Sequence, residues 1–150
     1  MNKPQIAKLI NGLLDHDDQK ANDCLKILEE KSRDSSELYS FFDTFAEMLS
    51  NDNSYIRTRG ILLIAANAKW DTDNKIDGII DKFLGCITDE KPITARQCVK
   101  VLPAIVKYKP GLKEVIANAL HNADLSNYKE SMQSLILRDI QKALNEIGVF

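Results

Sequence analysis

Apolar residues recur at steps of three and four along almost the whole chain, which is the spacing of an amphipathic helix. The first such run is Ile6, Leu9, Ile10 and Leu13. Polar turns rich in Asp, Asn, Ser, Pro and Gly separate each run from the next, and no strand candidate exceeds a few residues. The pattern predicts eight helices, at residues 4–14, 17–31, 34–50, 54–69, 74–87, 92–107, 112–120 and 127–147.

Two stretches of the chain share one design. Residues 51–68 and 89–106 each begin with a polar turn, place an arginine early in a helix and then run apolar. Arg59 and Arg96 lie 37 residues apart. A recurrence of about 33 to 47 residues is typical of helical-repeat proteins, in which each repeat is a helix pair that cannot bury its apolar face alone. The sequence therefore predicts an all-α fold of four antiparallel helix hairpins in one domain, residues 1–150.

The turns before these two helices carry a recognisable order of residues. Asp52 is followed by Ile56-Arg57 and Gly60, and Asp89 is followed by Arg96. This order resembles the HEAT-repeat family of armadillo-like α-solenoids, whose second helix starts after an Asp or Asn turn with a Val-Arg pair and small residues. The resemblance implies a short right-handed superhelix. It also implies structural repeat positions at Asp52, Arg57, Arg59, Asp89 and Arg96.

Two residues depart from the family pattern. Gly60 stands where a small alanine is usual, and Pro103 lies inside helix 92–107, where its missing amide predicts a kink. Among the apolar residues we expect Phe45 and Ile80 to be buried, so that truncating either one to alanine would be strongly destabilising.

The arginines Arg57, Arg59 and Arg96 allow two interpretations. They could contact phosphate or carboxylate groups of a ligand. The interpretation that we favour is that each guanidinium forks to an Asp or Asn of a neighbouring turn and satisfies groups at a helix start. On that interpretation these residues serve the fold.

One helix face is the best candidate for a partner-binding surface. Arg96, Lys100 and Lys107 lie at steps of four and seven on the polar side of helix 92–107. Residues 73–109 carry seven basic and five acidic side chains, so this segment alone is net basic. In a HEAT-like stack this face would line the concave surface and could meet the acidic groups of a protein segment. The alternative is an ordinary solvated lysine face.

Composition and charge narrow the class of protein. The chain is 44% apolar and 28% charged, with a net charge of -2, so no overall field attracts nucleic acid or anionic membranes. No stretch approaches the roughly 20 apolar residues of a membrane span. The three cysteines are odd in number and lack C-x-x-C spacing, which fits reduced thiols. We expect a cytoplasmic protein with a protein partner, no membrane contact and no nucleic acid.

No residue set in the sequence has the spacing of a catalytic or metal site. Asp15-His16-Asp17-Asp18 gathers possible ligands, but the glycine and the terminal glutamate of an EF-hand are missing, so helix capping explains it better. Cys24, Cys86 and Cys98 fall at apolar helix positions with no base signature nearby. We therefore expect a non-enzymatic scaffold with no catalytic residue, no metal and no cofactor.

One alternative function comes from the resemblance. HEAT-like DNA glycosylases of the alkylpurine kind use aromatic and acidic residues on a basic concave face, and Trp70 beside Lys69 and Asp71 would be the candidate here. The resemblance to those enzymes would imply a longer and distinctly basic chain, whereas this one has 150 residues and a net charge of -2. A nucleic-acid-binding or DNA-repair role is therefore the second hypothesis.

Overall fold

The computed structural model describes residues 1–149, and helix accounts for 77% of the chain. The α-helices in chain order are α1 (Lys3–Gly12), α2 (Asp18–Asp34), α3 (Phe42–Met48), α4 (Ser54–Ala66), α5 (Lys75–Gly85), α6 (Pro92–Tyr108), α7 (Lys113–His121) and α8 (Glu130–Glu146). Short 3₁₀ segments precede α3 and α7 and follow α4 and α5. The predicted helix 34–50 is therefore wrong in its first half, where Glu37–Phe41 forms a 3₁₀ turn and the α-helix begins only at Phe42. Over these 149 residues no strand forms, so the predicted all-α fold with eight helices is confirmed.

The described chain falls into two compact units. Helices α1 to α4 belong to the N-terminal unit, Met1–Thr72, and α5 to α8 belong to the C-terminal unit, which starts at Asp73. Phe150 lies outside the described residues. The stacking of the hairpins into one repeat domain over residues 1–150 stays a prediction.

Side-chain caps fix the first two helix starts. The Asn2 side chain accepts a hydrogen bond from Gln5 N at 2.9 Å, and the Gln5 side chain accepts one from Asn2 N at 2.8 Å, which is a complete capping box. The helix cap that the sequence predicted within Asp15–Asp18 is Asp17, which accepts a hydrogen bond from Gln19 N at 3.0 Å at the start of α2. These caps satisfy amides that have no partner inside their helices.

Helices α3 and α4 approach closely because Gly60 has no side chain. A Cβ at this position would lie 2.7 Å from Cβ of Met48 and 2.9 Å from the carbonyl oxygen of Phe45. Phe45 itself is fully buried, as predicted. The glycine therefore sets the distance between the two helices.

Helix α6 is central to the C-terminal unit. It packs on α8, on α7 and on the 3₁₀ turn after α5. It continues through Pro103 as one helix, and the kink predicted there stays a prediction. Its buried residues are Thr94, Ala95, Cys98, Val99, Leu102, Ile105 and Val106.

One core prediction, the burial of Ile80 in α5, is wrong. Ile76 and Phe83 are fully buried, whereas Ile80 is only half-buried. Ile80 lies about 60° around the helix from Phe83, so it sits at the border of the buried face and not at its centre. Truncation of Ile80 should therefore cost much less than truncation of Phe83.

Candidate functional site

The turn before α6 sets the direction of the helix that carries the predicted partner-binding residues. Pro92 occupies its first turn, where the absent amide removes no helical hydrogen bond. The Asp89 carboxylate accepts a hydrogen bond from Lys91 N at 2.9 Å and fixes the preceding turn. Because one side of α6 packs inward, the opposite side, with Lys100 and Lys107, is exposed.

Arg96 is held by an acid of the neighbouring helix α8. Its Nε donates to Oδ2 of Asp139 at 2.7 Å and its Nη2 donates to Oδ1 at 3.4 Å, so the guanidinium engages both carboxylate oxygens. This hydrogen bond raises the pKa of Arg96 above its already high ordinary value, and the cation is permanent. The sequence predicted that the partner of Arg96 lies in a neighbouring turn, but Asp139 lies within helix α8. Arg96 therefore positions the two helices.

Lys100 and Lys107 are the cations of this face that stay free. Neither forms an ion pair within residues 1–149. The Nζ of Lys107 lies 5.3 Å from the ring centre of Tyr108, a cation–π contact that leaves the charge accessible to a partner. Lys109 differs, because it pairs with Asp77 at 2.9 Å and ties the end of α6 to α5.

A cleft of about 210 Å³ opens beside Lys100, between α6 and α8. Its apolar part consists of Pro103 and Ala143, and Lys142 adds a second exposed cation. Arg96 neutralises the charge of Asp139. The other charged residues of the cleft, Lys100, Lys142 and Glu146, leave it with a net charge of +1. The lining residues are Lys100, Pro103, Asp139, Lys142, Ala143 and Glu146.

The sequence did not indicate Lys142 or the cleft. Which side of α8 meets α6 depends on contacts between residues more than 40 positions apart, and periodicity within one helix carries no such information. One signal was present: Lys142 follows Asp139 by three residues and therefore shares its face of α8.

Arg59 joins α4 to the connection between α1 and α2. Its Nη1 donates to the carbonyl of Leu13 at 2.9 Å and its Nη2 donates to Oδ1 of Asp18 at 3.1 Å. The residue is 2% exposed, and its Nε has no partner within the described chain. The guanidinium therefore reaches an aspartate at a neighbouring helix start and serves the packing of the unit.

Arg57 closes the turn before its own helix. Its Nη1 donates to the carbonyl oxygens of Asn51, at 2.9 Å, and Asp52, at 3.1 Å. Asp52 thus contributes a backbone oxygen to this arginine. With 8% of its surface exposed, Arg57 is not presented to a ligand.

Trp70 is tied to α2 by its indole nitrogen. Its Nε1 donates to the carbonyl of Ser32 at 2.7 Å, and the Nζ of Lys69 lies 5.1 Å from the ring centre. The Ser32 hydroxyl accepts a hydrogen bond from Asn67 at 3.1 Å, so a polar network joins the end of α4 to α2. These contacts give Trp70 a packing role.

Asp15 and Cys98, considered above as a possible metal ligand and a possible nucleophile, occupy structural positions. Within the first 149 residues no three His, Cys, Asp or Glu side chains are arranged to hold a metal ion. Asp15 accepts a hydrogen bond from Asp17 N at 2.8 Å and thereby shapes the turn before α2. Burial raises the pKa of the Cys98 thiol well above its ordinary value, which is the opposite of what an activated nucleophile needs.

Comparisons with known proteins gave no relative: no protein-family model, curated protein or solved structure matches the chain. In the part of the chain that the structure describes, no helix has both the length and the apolar character needed to cross a bilayer.

Proposed function

We propose that this chain is a non-enzymatic protein-binding module that holds an acidic segment of another protein on the exposed side of α6. One observation carries the proposal. Lys100 and Lys107 are exposed and form no ion pair within the described residues, and Lys100 lines the cleft at Pro103. Free cations beside a small cleft with an apolar part at Pro103 and Ala143 suit a segment that brings carboxylates and one small apolar side chain.

The dimensions of this surface suit a short segment. Residues 93 to 107 of a helix span about 21 Å, a distance that an extended chain covers with six or seven residues. Ile93, which is 67% exposed, offers an apolar contact at one end. We therefore expect a partner sequence with Asp or Glu opposite Lys100 and Lys107, and a small apolar residue in the cleft.

The architecture that we propose is a short HEAT-like α-solenoid, with α2, α4, α6 and α8 as the second helices of four hairpins. In such a solenoid the second helices line the concave face, which is where the exposed side of α6 would meet its partner. Arg59 supports this idea, because it lies at the predicted repeat position and reaches a neighbouring helix start. Arg96 makes a different contact, with α8, so the two arginines are not equivalent in detail.

A differential capture experiment tests the proposed surface. Immobilised wild-type protein and the variant with Lys100→Glu and Lys107→Glu are exposed to extract of the native cell, and the bound proteins are quantified by mass spectrometry. Lys113→Glu with Lys129→Glu is the matched control, since both lysines are exposed and the change in charge is the same. We expect a protein that wild type and control retain and the α6 variant loses. Identical captured sets for all three baits would contradict the proposal.

A salt titration separates a protein partner from nucleic acid. Labelled duplex DNA is added at about 50 mM salt, where a protein that neutralises phosphates binds most tightly and then weakens steeply as salt rises. We expect no binding at any salt concentration. Tight, salt-sensitive binding that the Lys100 and Lys107 reversals abolish would make nucleic acid the partner of this surface.

A further inference from the structure

The first helix hairpin carries apolar side chains on two sides, and only one side is buried. The buried set belongs to the core of the N-terminal unit and comprises Ile6, Ile10, Leu13, Ala21, Leu25 and Leu28. On the second side Leu9 and Cys24 are half-buried, and Ile27 is 42% exposed. An amphipathic helix pair usually turns polar residues to solvent, so this second apolar side needs an explanation.

The second side forms a groove of about 650 Å³ along α1 and α2. Gly12 lies in the groove, and a Cβ on it would be 2.6 Å from Sγ of Cys24, so the two helices approach closely there. Leu9 and Ile27 extend the apolar lining along the groove. An apolar groove with a polar rim is a candidate site of association.

The charged side chains that line this groove are balanced in sign. Lys8 and Lys20 are matched by Asp15 and Asp23, all four exposed. Within residues 1–149 none of these four forms an ion pair. A strongly acidic or basic partner, or an anionic membrane, would meet two like charges, whereas a surface with the same balance can match all four.

We propose that the groove is the interface of a homodimer, in which the α1–α2 hairpin of a second copy covers that of the first. A two-fold axis places a patch against itself, so lysines of one copy can lie opposite aspartates of the other. Two hairpins packed in this way form a four-helix layer that removes Leu9, Cys24 and Ile27 from water. The interface uses no residue of α6 and is tested independently of the proposed function.

The oligomeric state is the first test. Sedimentation velocity from about 1 to 200 µM should show the 16.9 kDa monomer giving way to a dimer. Ile27→Glu, which puts a charge into the groove, should raise the dimer Kd at least about a hundredfold. Val115→Glu is the control, because Val115 is 38% exposed but lies on α7, and it should leave the Kd unchanged. Circular dichroism of both variants verifies that they are folded.

Charge complementation is the second test and is specific to a self-paired interface. Lys8→Glu with Lys20→Glu makes one acidic rim, and Asp23→Lys makes a basic one. Each variant alone should be monomeric at concentrations where wild type is a dimer, and an equimolar mixture should recover the dimer mass. A wild-type mass of 16.9 kDa at every concentration would overturn the proposal. A dimer that Ile27→Glu leaves intact, or a mixture that stays monomeric, would overturn it as well.

Discussion

Arg59 places a guanidinium in the interior of the N-terminal unit, with one nitrogen on the Leu13 carbonyl and another on Asp18. A buried cation is costly unless its hydrogen bonds are made. The Asp18 side chain is 51% exposed, so water screens the ion pair and reduces its contribution to stability. The hydrogen bond to the carbonyl and the packing of the arginine stem should therefore dominate.

Substitutions on the two sides of this pair should have unequal effects. Arg59→Ala leaves the Leu13 carbonyl without its donor and removes a packed side chain, so we expect a loss of about 3 kcal/mol in unfolding free energy. Asp18→Ala should cost less, about 1 to 2 kcal/mol, because it leaves Arg59 Nη2 without its partner but water reaches the exposed Asp18 side of the pair. Urea unfolding of both variants measures the difference. Equal losses would mean that the ion pair itself holds the helix ends together.

Ionisation of Tyr128 should lower the stability of the C-terminal unit at alkaline pH. Its hydroxyl donates to the carbonyl of Asp89, and partial burial, followed by the charge of Asp89, raises its pKa from 10.0 to about 12. Between these values the unfolded chain loses a proton that the folded chain keeps. The stability contribution of Tyr128 is therefore complete below pH 10 and falls as the pH rises towards 12.

The variant Tyr128→Phe isolates this effect. It should cost about 1 kcal/mol at neutral pH through the lost hydrogen bond, and its unfolding free energy should fall less than that of wild type between pH 10 and 12. The ultraviolet absorbance difference between the two proteins should titrate near pH 12. Parallel stability curves across this window would show that Tyr128 is not the cause.

At the scale of the helix, two glycines should respond to alanine with opposite signs. Gly60→Ala puts a methyl group 2.9 Å from the Phe45 carbonyl and 2.7 Å from Cβ of Met48, so α3 and α4 must separate. We expect a loss of about 1 to 3 kcal/mol in spite of the better helix propensity of alanine. Gly78, in α5, has nothing within 4 Å of such a Cβ, and Gly78→Ala should add up to about 1 kcal/mol.

Thermal and urea unfolding of the two glycine variants provide the measurement. A Gly60→Ala protein as stable as wild type would mean that the helices separate at little cost, and the close approach would then not determine the packing of α3 on α4.

Local patterns predicted the helices because each pattern acts within one element. The spacing of apolar residues predicts that eight helices exist, although the third, predicted over 34–50, is an α-helix only over Phe42–Met48. Asp17 caps α2 through amides only two and three residues away. The full burial predicted for Ile80 is wrong, because its burial depends on how far the neighbouring elements extend around α5. A residue at the border of an apolar stripe is therefore the weakest prediction that periodicity makes.

For the candidate surface, too, some features follow from the local sequence and others depend on contacts between distant residues. Lys100 and Lys107 follow from spacing within α6 alone, and both are exposed as their polar side requires. The pairing of Arg96 with Asp139, 43 residues away, follows from the rotation of α8 against α6. The cleft depends on that rotation too, so no local pattern contains it.

At the scale of the whole molecule, the net charge of -2 gives no general attraction to an acidic partner. Any electrostatic steering must come from cations that are close together and unpaired. Lys100 and Lys142 line the same cleft, Lys107 lies about two turns beyond Lys100 on the same side of α6, and none of the three forms an ion pair within residues 1–149. Exposed charges of this kind act on the encounter between two proteins more than on the packed contact that follows.

Reversal of two of these charges should therefore change the kinetics of binding in a characteristic way. For the protein captured on α6, Lys100→Glu with Lys107→Glu should slow association by about tenfold or more at low salt and should flatten its dependence on ionic strength. The dissociation rate should change less. Because both lysines are exposed, the unfolding free energy should stay within about 0.5 kcal/mol of wild type. Surface plasmon resonance at several salt concentrations, with Lys113→Glu and Lys129→Glu as the control, measures both rates. An unchanged association rate and salt slope would leave α6 as an ordinary solvated lysine face.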